Sequence, residues 1–408
     1  MAKQSIRDIN LSGKRCFIRV DFNVPLDDQN GTMAITDDTR IKETLPTLNA
    51  LIAAGARLIL ASHLGRPKGQ RDPKQSLRPV ATKLAEMLGR PVEFADDCIG
   101  EAAKAKALAL KDGDVLLLEN VRFHAGEEEN SPELAKAMAE LAEVFVNDAF
   151  GSAHRAHAST AGIAAFLPAY SGLLMEKELT YLHDELEAPE RPFVAILGGA
   201  KVSDKIMVIN RLLEKADIII VGGGMAHTFR KVSQEPGQGI AIGKSMYKPE
   251  WEPIAIAALQ RAKELGVKFL IPVDYMATEE LNFDAKTVKP LIPVGLGESV
   301  PATHEAVDIG PETVKLFSEA IASAKTVIWN GPMGVFEIKD CAKGTFAIAE
   351  AIAANRGAKT IIGGGDSVKA VKKAGVADKC TFISTGGGAS LELLEGKVLP
   401  GVAALADK

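Results

Sequence analysis

The stretch TIIGGGDSVKAVKKA, residues 360–374, joins a short apolar run to three glycines, an aspartate and an amphipathic segment. An apolar run of this length is typical of a buried strand, and apolar residues three and four apart after it predict a helix. Nine apolar runs along the chain end in a small polar or glycine-rich cluster of this kind. This alternation of strands and helices predicts an α/β fold with parallel sheets.

The same pattern predicts strands and helices in both halves of the chain. In the first half, strands are predicted at 16–20, 56–61, 114–118 and 144–146, and helices at 39–54, 77–88 and 132–141. In the second half, strands are predicted at 193–197, 218–221, 268–272, 326–329, 360–362 and 381–384, and helices at 203–216, 250–265, 311–324 and 345–354. The loops that follow such strands gather at one edge of a parallel sheet, where ligands bind.

A chain of 408 residues exceeds the size of one ordinary hydrophobic core, so two domains are expected. We predict an N-terminal domain over 1–174, a charged, helix-prone connector over 175–190 and a C-terminal domain over 191–390. Segment 391–408 follows the last predicted strand, and we expect it to cross back to the first domain. The alternative interpretation of the connector is an ordinary crossover helix within one larger domain.

Composition excludes several classes of protein. The formal net charge of −5 argues against a nucleic-acid-binding protein that relies on bulk positive charge. The four cysteines (Cys16, Cys98, Cys341 and Cys380) form no C-x-x-C motif, which favours buried, reduced thiols. The sequence has no signal-peptide pattern at its start and no apolar run near the ~20 residues that span a membrane. We therefore expect a cytoplasmic protein.

The polar clusters of the first half are rich in arginine and histidine. They contain Arg19, Arg40, Arg66, Arg122 and Arg155, with His63, His124, His154 and His157 in the same loops. Several guanidinium groups in one pocket would bind a small phosphorylated acid, since each can pair with a carboxylate or phosphate. Taken singly, an arginine is more often a surface residue or a structural ion-pair partner, and for Arg19 the structural and functional interpretations are balanced. A metal on His124, His154, His157 and His183 is the weaker alternative, because an adjacent arginine repels a cation.

The clusters of the second half are rich in glycine. Bare N–H groups in a loop that leads from a strand into a helix can hold a phosphate, and Gly363, Gly364 and Gly365 fit that arrangement. Asp366 is placed to hold Mg²⁺, or else Asp366 and Ser367 merely cap the helix. Lys201 and Lys205 bracket a predicted helix start, where a bound polyanion would offset their charge; a solvated surface beside Asp204 is the alternative.

Three common motifs are absent. The sequence contains no P-loop, no G-x-G-x-x-G after a strand and no G-x-S-x-G nucleophile elbow. A dehydrogenase is therefore disfavoured. A two-lobed binding protein for a phosphorylated acid would explain the arginines, but it has no use for Lys201, Asp366 and the glycine triplets.

Long motifs in this chain closely resemble those of the phosphoglycerate kinase family. They are RVDFNVP (19–25), SHLGRP (62–67), NDAFG (147–151), HRAH (154–157), GGAKV (198–202), WNGP (329–332), GGGD (363–366) and STGGGAS (384–390). The resemblance runs in order as far as LEGKVLPG (394–401) and covers nearly the whole chain. It implies two Rossmann-like, three-layer α/β domains with parallel sheets, joined by an interdomain helix, with a C-terminal tail that returns to the N-terminal domain.

The resemblance also implies the reaction, which is reversible phosphoryl transfer between ATP and the carboxylate of 3-phosphoglycerate, giving ADP and 1,3-bisphosphoglycerate. Mg²⁺ would accompany the nucleotide, and the domains would close over both substrates. The implied partners are these small molecules alone, without nucleic acid or membrane, and a monomer is the default expectation.

Site residues carry over position by position. The phosphoglycerate would be bound by Asp21, Phe22, Asn23, Arg40, His63, Leu64, Gly65, Arg66, Arg122 and Arg155. The nucleotide would be bound by Gly199, Ala200, Lys201, Lys205, Gly223, Gly224, Asn330, Glu337, Gly363, Gly364, Gly365, Asp366 and Ser367. Arg40 and Lys201 match the catalytic pair, and Asp366 matches the Mg²⁺ contact.

Overall fold

Two six-stranded parallel sheets organise the chain, as the alternation of strands and helices predicts. The computed structural model describes residues 2–29, 32–233 and 241–408. It divides into two units: the N-terminal unit extends to Thr180 and includes Lys397–Lys408, and the C-terminal unit is Tyr181–Gly396. The predicted fold class, α/β with parallel sheets, is confirmed.

The sheet of the N-terminal unit is buried on both faces. Its strands lie side by side in the order Glu93–Ala95, Val115–Leu118, Arg57–Ala61, Arg15–Arg19, Val144–Asn147 and Ala169–Ser171. Its helices are Thr39–Ala53, Arg78–Leu88, Gly100–Ala109, Pro132–Ala139, Leu173–Leu179 and Pro400–Ala403. Burial on both faces explains why the central strands are almost continuously apolar. Ile18, Leu60 and Leu117, for example, are fully buried.

The sheet of the C-terminal unit follows the same plan. Its strands lie in the order Lys268–Leu270, Ile218–Val221, Phe193–Leu197, Thr326–Asn330, Lys359–Gly363 and Phe382–Ile383. Its helices are Glu185–Glu187, Ile206–Leu213, Met225–Val232, Glu252–Leu265, Pro311–Ser323, Lys343–Ala354, Gly365–Lys373 and Gly388–Leu394. Trp329, fully buried on the central strand Thr326–Asn330, contributes to the core beside this sheet.

Smaller elements were not predicted from the sequence. The C-terminal unit contains an antiparallel sheet in the order Ile292–Val294, Tyr275–Thr278 and Glu305–Ile309. Two-stranded ribbons pair Leu281–Asn282 with Thr287–Val288, and Leu26–Gln29 with Thr32–Ile35. These strands are two to five residues long, too short to give a clear alternating pattern.

The structure corrects several predicted bounds. The helix predicted at 203–216 is preceded by a separate 3₁₀ turn at Val202–Asp204 and runs only over Ile206–Leu213. The strand predicted at 268–272 ends at Leu270. The connector begins as a helix at Leu173 and changes to a π-helical turn at Thr180–Asp184. Helix Gly100–Ala109 was missed because its alanines and lysines show almost no amphipathic pattern.

The last residues of the chain belong to the N-terminal unit, as the resemblance implied. The Ala406 amide donates to the Ala169 carbonyl at 2.9 Å, and the Lys408 amide donates to the Ala2 carbonyl at 3.0 Å. Three apolar side chains of this tail are buried: Leu399, Val402 and Leu405. The tail therefore completes the core of this unit.

Replacing Leu405, which is 3% exposed, should test this role of the tail. We expect Leu405→Ala to lower the free energy of unfolding by about 2–5 kcal/mol, because the substitution leaves a cavity in a packed core. Urea unfolding followed by circular dichroism measures the change. Val398, in the same tail but 70% exposed, provides the control, and Val398→Ala should change stability by less than about 0.5 kcal/mol. Equal effects would contradict the packing argument.

Candidate active site

Three neighbouring strands place the polar residues of the N-terminal unit. Asp21–Asn23 follow strand Arg15–Arg19, His63–Arg66 follow Arg57–Ala61, and Arg122 follows Val115–Leu118. These strands pair in parallel, so their carboxyl ends lie at one edge of the sheet. We call Asp21, Arg40, His63, Arg122 and the residues in contact with them the basic cluster.

Asp21 is the carboxylate of the basic cluster. Its carboxyl forms an ion pair with the Arg40 guanidinium, which extends from helix Thr39–Ala53. Burial alone would raise the pKa of Asp21, but the charge of Arg40 and, to a smaller extent, that of Arg19 lower it to about 2. Asp21 is therefore ionised at neutral pH and holds Arg40 in a defined position.

The loop after strand Arg57–Ala61 is fixed by side-chain hydrogen bonds. Asn23 Oδ1 accepts from the Gly65 amide at 2.9 Å. The Leu64 amide donates to Asn120 Oδ1 at 3.2 Å, and the Leu64 carbonyl accepts from Asn120 Nδ2 at 2.7 Å. Phe22 is fully buried, and its amide donates to Ser62 Oγ at 2.8 Å. Phe22 and Leu64 thus position the backbone and present no polar side chain.

Arg19 lies entirely inside the protein. Its Nε donates to Ser159 Oγ at 2.7 Å, and its Nη2 lies 3.1 Å from His63 Nδ1. Because a guanidinium can only donate, His63 accepts at Nδ1 and presents Nε2 as its donor. Burial holds the pKa of His63 well below its usual range; Asp21 acts in the opposite direction, and Arg19, Arg122 and Arg40 act in the same direction as burial. His63 is therefore neutral.

Sequence reasoning missed the carboxylate that balances Arg19. Glu127 is fully buried and accepts from Ser159 Oγ at 2.6 Å and from the Ser159 amide at 2.9 Å. Ser159 thus bridges a buried cation and a buried anion, which compensates part of the cost of taking both out of water. Glu127 begins a run of three glutamates, and nothing in that run distinguishes it from its neighbours.

The remaining arginines differ in exposure. Arg122 is 6% exposed, donates through Nη1 to the Gly65 carbonyl at 2.8 Å and lies 3.3 Å from a Glu128 carboxyl oxygen. Arg155 is exposed, and its Nε donates to His154 Nε2 at 3.2 Å. The pKa of Arg122 is lowered mainly by burial and also by the positive charges of Arg19 and Arg155. The Glu128 carboxylate acts in the opposite direction. Arg66 is exposed and forms no ion pair within the described part of the chain.

Among the described residues, His124, His154, His157 and His183 do not come together at one site, as a shared metal ion would require. Burial, together with the nearby charges of Arg122, Arg19 and Arg155, lowers the pKa of His157 to about 4. A cation is disfavoured in such surroundings.

Elsewhere among the described residues, Asp97, Cys98 and His124 lie together. There, His124 Nε2 is 2.7 Å from Asp97 Oδ1, and Arg71 Nη2 is 3.7 Å from Asp97 Oδ2. Arg71 already supplies a positive charge at that carboxylate.

In the C-terminal unit, two loops contact each other through the backbones of their glycines, Gly198 and Gly331. A Cβ on Gly198 would lie 2.0 Å from the Pro332 carbonyl oxygen. Gly331 has a φ of +108°, and a Cβ there would lie 2.1 Å from the Gly198 carbonyl oxygen. Only glycine fits either position, because any side chain would overlap the opposite loop. The loops after the adjacent strands Phe193–Leu197 and Thr326–Asn330 are thereby held together.

Beside these loops lies a cavity of about 260 Å³, the glycine cavity. Six predicted site residues line it: Gly199, Ala200, Gly223, Gly224, Glu337 and Asp366. Seven others do not: Lys201, Lys205, Asn330, Gly363, Gly364, Gly365 and Ser367. The cavity is also lined by apolar side chains such as Met246 and Phe283, which suits the flat face of a base.

Lys205 and Asn330 form a polar pair at the edge of the sheet. Lys205 Nζ donates to Asn330 Oδ1, while Asn330 Nδ2 has no hydrogen-bond partner in the described chain. Burial lowers the pKa of Lys205 to about 8, although Glu395, Asp204 and Asp366 act in the opposite direction. A bound anion would restore the full charge of this lysine. Lys201 is exposed.

Asp366 lies in the first turn of helix Gly365–Lys373, whose N-cap position is Gly364. Its carboxyl lies 3.1 Å from Lys369 Nζ and is 54% exposed. The alternative in which Asp366 and Ser367 cap the helix is wrong, because no side chain forms the cap hydrogen bond. Ser367 is fully buried and accepts instead from the Gly331 amide at 2.6 Å.

The pKa of Asp21 offers a direct test of the basic cluster. The Arg40 guanidinium is the strongest effect that opposes burial at Asp21, so Arg40→Met should raise that pKa from its value of about 2. The carboxyl ¹³C titration of labelled protein measures this shift. Arg66→Met removes an exposed arginine and should leave the titration unchanged. An unchanged pKa in Arg40→Met would contradict the ion pair.

Within the described residues, no helix is long and apolar enough to span a bilayer.

Comparison with known proteins places this chain in one protein family. The phosphoglycerate kinase family matches residues 6–397. The chain is 57% identical to the phosphoglycerate kinase of Koribacter versatilis and 54% identical to that of Pelotomaculum thermopropionicum, with all of each chain covered.

Solved structures agree. The phosphoglycerate kinase of Coxiella burnetii is 42% identical with a TM-score of 0.87, and that of Pyrococcus horikoshii is 32% identical with a TM-score of 0.80. Each comparison covers 98% of both chains. The match extends over both units and includes the motifs that form the basic cluster and the glycine loops. This chain belongs to the phosphoglycerate kinase family.

Proposed function

We propose that the basic cluster binds 3-phosphoglycerate and that the glycine cavity and its neighbouring loops bind ATP or ADP. As a member of its family, the chain is a glycolytic kinase, an enzyme that transfers a phosphoryl group. The phosphorus–oxygen bond to the γ-phosphoryl group of ATP breaks, and a new bond forms to a carboxylate oxygen of the acid. The products are ADP and 1,3-bisphosphoglycerate, and the reaction is reversible.

The charges of the N-terminal unit support its role as the acid site. Arg122 is held by the Gly65 carbonyl, and Arg40 by Asp21, so neither has to find its orientation when the substrate arrives. Arg66 and Arg155 are exposed and can turn toward an anionic ligand. Neutral His63 offers its Nε2 hydrogen to an oxygen of the acid. These groups together match a ligand with a phosphate and a carboxylate.

The C-terminal unit supplies complementary features for a nucleotide. The base would occupy the glycine cavity between Gly199–Ala200 and Gly223–Gly224. The phosphates would extend toward the N-terminus of helix Gly365–Lys373, where backbone amides and the helix dipole favour negative charge. Lys205 and the free Nδ2 of Asn330 would donate to phosphate oxygens. Glu337, exposed at the cavity, would accept from the ribose hydroxyls.

Asp366 is suited to hold the Mg²⁺ that accompanies the nucleotide. It is an exposed carboxylate at the cavity and next to the proposed phosphate position, and Mg²⁺ in nucleotide sites is commonly held by one or two carboxylates together with phosphate oxygens. When bound, the ion would neutralise charge on the phosphates. Lys369 would then exchange its present partner Asp366 for solvent or phosphate.

The chemistry requires little beyond positioning. A carboxylate is ionised at neutral pH, so the nucleophile needs no general base, and the low pKa of Asp21 excludes that residue as one. Negative charge on the transferring group is the main barrier. Arg40 and Lys201 would stabilise that charge, each by about 3–4 kcal/mol by analogy with a single oxyanion donor. We expect the chain to act as a monomer in the cytoplasm.

Arg40 provides the sharpest test of this assignment. We expect Arg40→Ala to lower kcat by about 10²–10³-fold, since one charge that stabilises the transition state is lost. The affinity for ADP should be unchanged. A coupled assay with ATP, Mg²⁺ and 3-phosphoglycerate measures kcat, and calorimetry measures ADP binding. Lys42→Ala, on the same helix and exposed, is the matched control. Equal losses of turnover and ADP affinity would refute the role of Arg40.

The acyl phosphate product hydrolyses readily, so water must be kept away during transfer, and we propose that the two units close when both substrates are bound. Small-angle scattering should then give a smaller radius of gyration with ADP and 3-phosphoglycerate together than without ligand. Either ligand alone serves as the control and should produce a smaller change. An unaltered radius with both ligands at saturation would rule out closure.

A further inference from the structure

Three side chains with metal-binding chemistry lie together at the outer edge of the sheet in the N-terminal unit. The Asp97 carboxyl, the Cys98 thiol and a ring nitrogen of His124 are all within 4.8 Å of one another. Carboxylate, thiolate and imidazole are the three kinds of ligand that Zn²⁺ binds in proteins. We call these residues the edge cluster. None of them belongs to either proposed substrate site, so the proposed function makes no use of the cluster.

Parallel pairing of two strands brings the edge cluster together. Strand Glu93–Ala95 is the outermost of its sheet and pairs with Val115–Leu118. Asp97 and Cys98 follow the first of these strands, and His124 follows the second. The Cys98 amide donates to Asp97 Oδ1 at 2.7 Å, which orients that carboxyl. The fold itself therefore places all three candidate ligands.

The exposures of the three side chains leave one side of the edge cluster open to solvent. Cys98 is fully buried, whereas the side chains of Asp97 and His124 are 42% and 30% exposed. An ion among them would have the sulfur on its inner side and room for a water molecule on its outer side, the usual arrangement of a site with three protein ligands. His124 Nε2 now donates to Asp97 Oδ1 at 2.7 Å, and a metal ion would replace that hydrogen.

Nearby carboxylates make the surroundings of the thiol negative. Burial raises the pKa of Cys98 well above its usual value, and the charges of Asp97, Glu127 and Glu119 act in the same direction. Negative charge that disfavours a bare thiolate favours a cation beside it. These surroundings are the opposite of those around His157, where arginines disfavour a cation.

The positive charge of Arg71 does not fill this position. Arg71 Nη2 is 3.7 Å from Asp97 Oδ2, whereas His124 contacts Oδ1. The Arg71 side chain is 54% exposed and also donates to the Asp96 carbonyl. An exposed ion pair of this kind contributes little. Asp97 can therefore keep Arg71 on one oxygen and ligate an ion through the other.

We propose that Asp97, Cys98 and His124 bind one Zn²⁺ ion, with water as the fourth ligand. The mixed sulfur, nitrogen and oxygen set suits Zn²⁺, whereas Mg²⁺ takes oxygen ligands. The thiol proton of Cys98 passes to solvent as the sulfur binds the ion. The ion would link the loops after strands Glu93–Ala95 and Val115–Leu118.

Cobalt substitution tests the site directly, because a thiolate bound to Co²⁺ gives a charge-transfer band in the near ultraviolet. We expect the metal-free chain, titrated with Co²⁺ alone, to develop this band with one ion bound. Zn²⁺ should abolish the band by displacement, and an excess of Mg²⁺ should leave it unchanged. No nucleotide or phosphoglycerate is present, so the outcome does not depend on the proposed function.

Cys98→Ser should remove the band and raise the Kd for Zn²⁺ at least about tenfold, since even the loss of a group that only supports a ligand costs that much. Cys16→Ser is the matched control: Cys16 is an equally buried thiol of the same sheet but lies outside the edge cluster, and its replacement should change neither quantity.

A wild-type chain without the charge-transfer band would overturn the site, as would a band that persists in Cys98→Ser. Should that variant not fold, His124→Ala replaces it, because a partly exposed side chain can be removed without opening the core. A Kd for Zn²⁺ that rises at least about tenfold in His124→Ala would support the site. An unchanged Kd would show that the ion binds elsewhere and would overturn the site.

Discussion

Both candidate sites depend on parallel strand pairing, because it brings the loops after successive strands to the same edge of each sheet. In the N-terminal unit, strand Arg15–Arg19 pairs with Arg57–Ala61 on one side and Val144–Asn147 on the other. In the C-terminal unit, Phe193–Leu197 lies between Ile218–Val221 and Thr326–Asn330. The residues proposed to bind ligands are far apart in sequence and become neighbours through this pairing.

The two units use that edge differently. The N-terminal unit fills it with charges, and several are buried: Arg19 is linked to Glu127 through Ser159, and Asp21 is paired with Arg40. The C-terminal unit has glycines at this edge instead. Without side chains, the backbones at Gly198 and Gly331 contact each other, and the adjoining cavity stays open. A cluster of fixed charges suits a small, highly charged acid, whereas a flat cavity with bare amides suits a nucleotide. The difference in composition between the halves of the chain therefore has a structural basis.

The long apolar strands, their order along the chain and the main ligand loops were predictable, because each combines a clear apolar run with a distinctive cluster. The individual roles within a loop were less predictable. Arg19 and Arg122 are buried while Arg66 and Arg155 are exposed, although all four occur in similar contexts in the sequence. Glu127 could not be singled out, because its partner Ser159 is 32 residues away and the contact exists only in the folded chain.

The hydrogen bond from Ala406 to Ala169 also constrains how the protein is made. Strand Ala169–Ser171 closes one side of its sheet. Its Ser171 bonds to Gln4 and Ile6 near the start of the chain, but the partner of the Ala169 carbonyl comes from the tail. Tyr181–Gly396 contains every strand of its own sheet and can assemble as soon as it leaves the ribosome. The unit whose synthesis starts first is thus completed last, and a nascent chain halted before Lys397 would carry an unfinished domain in front of a finished one.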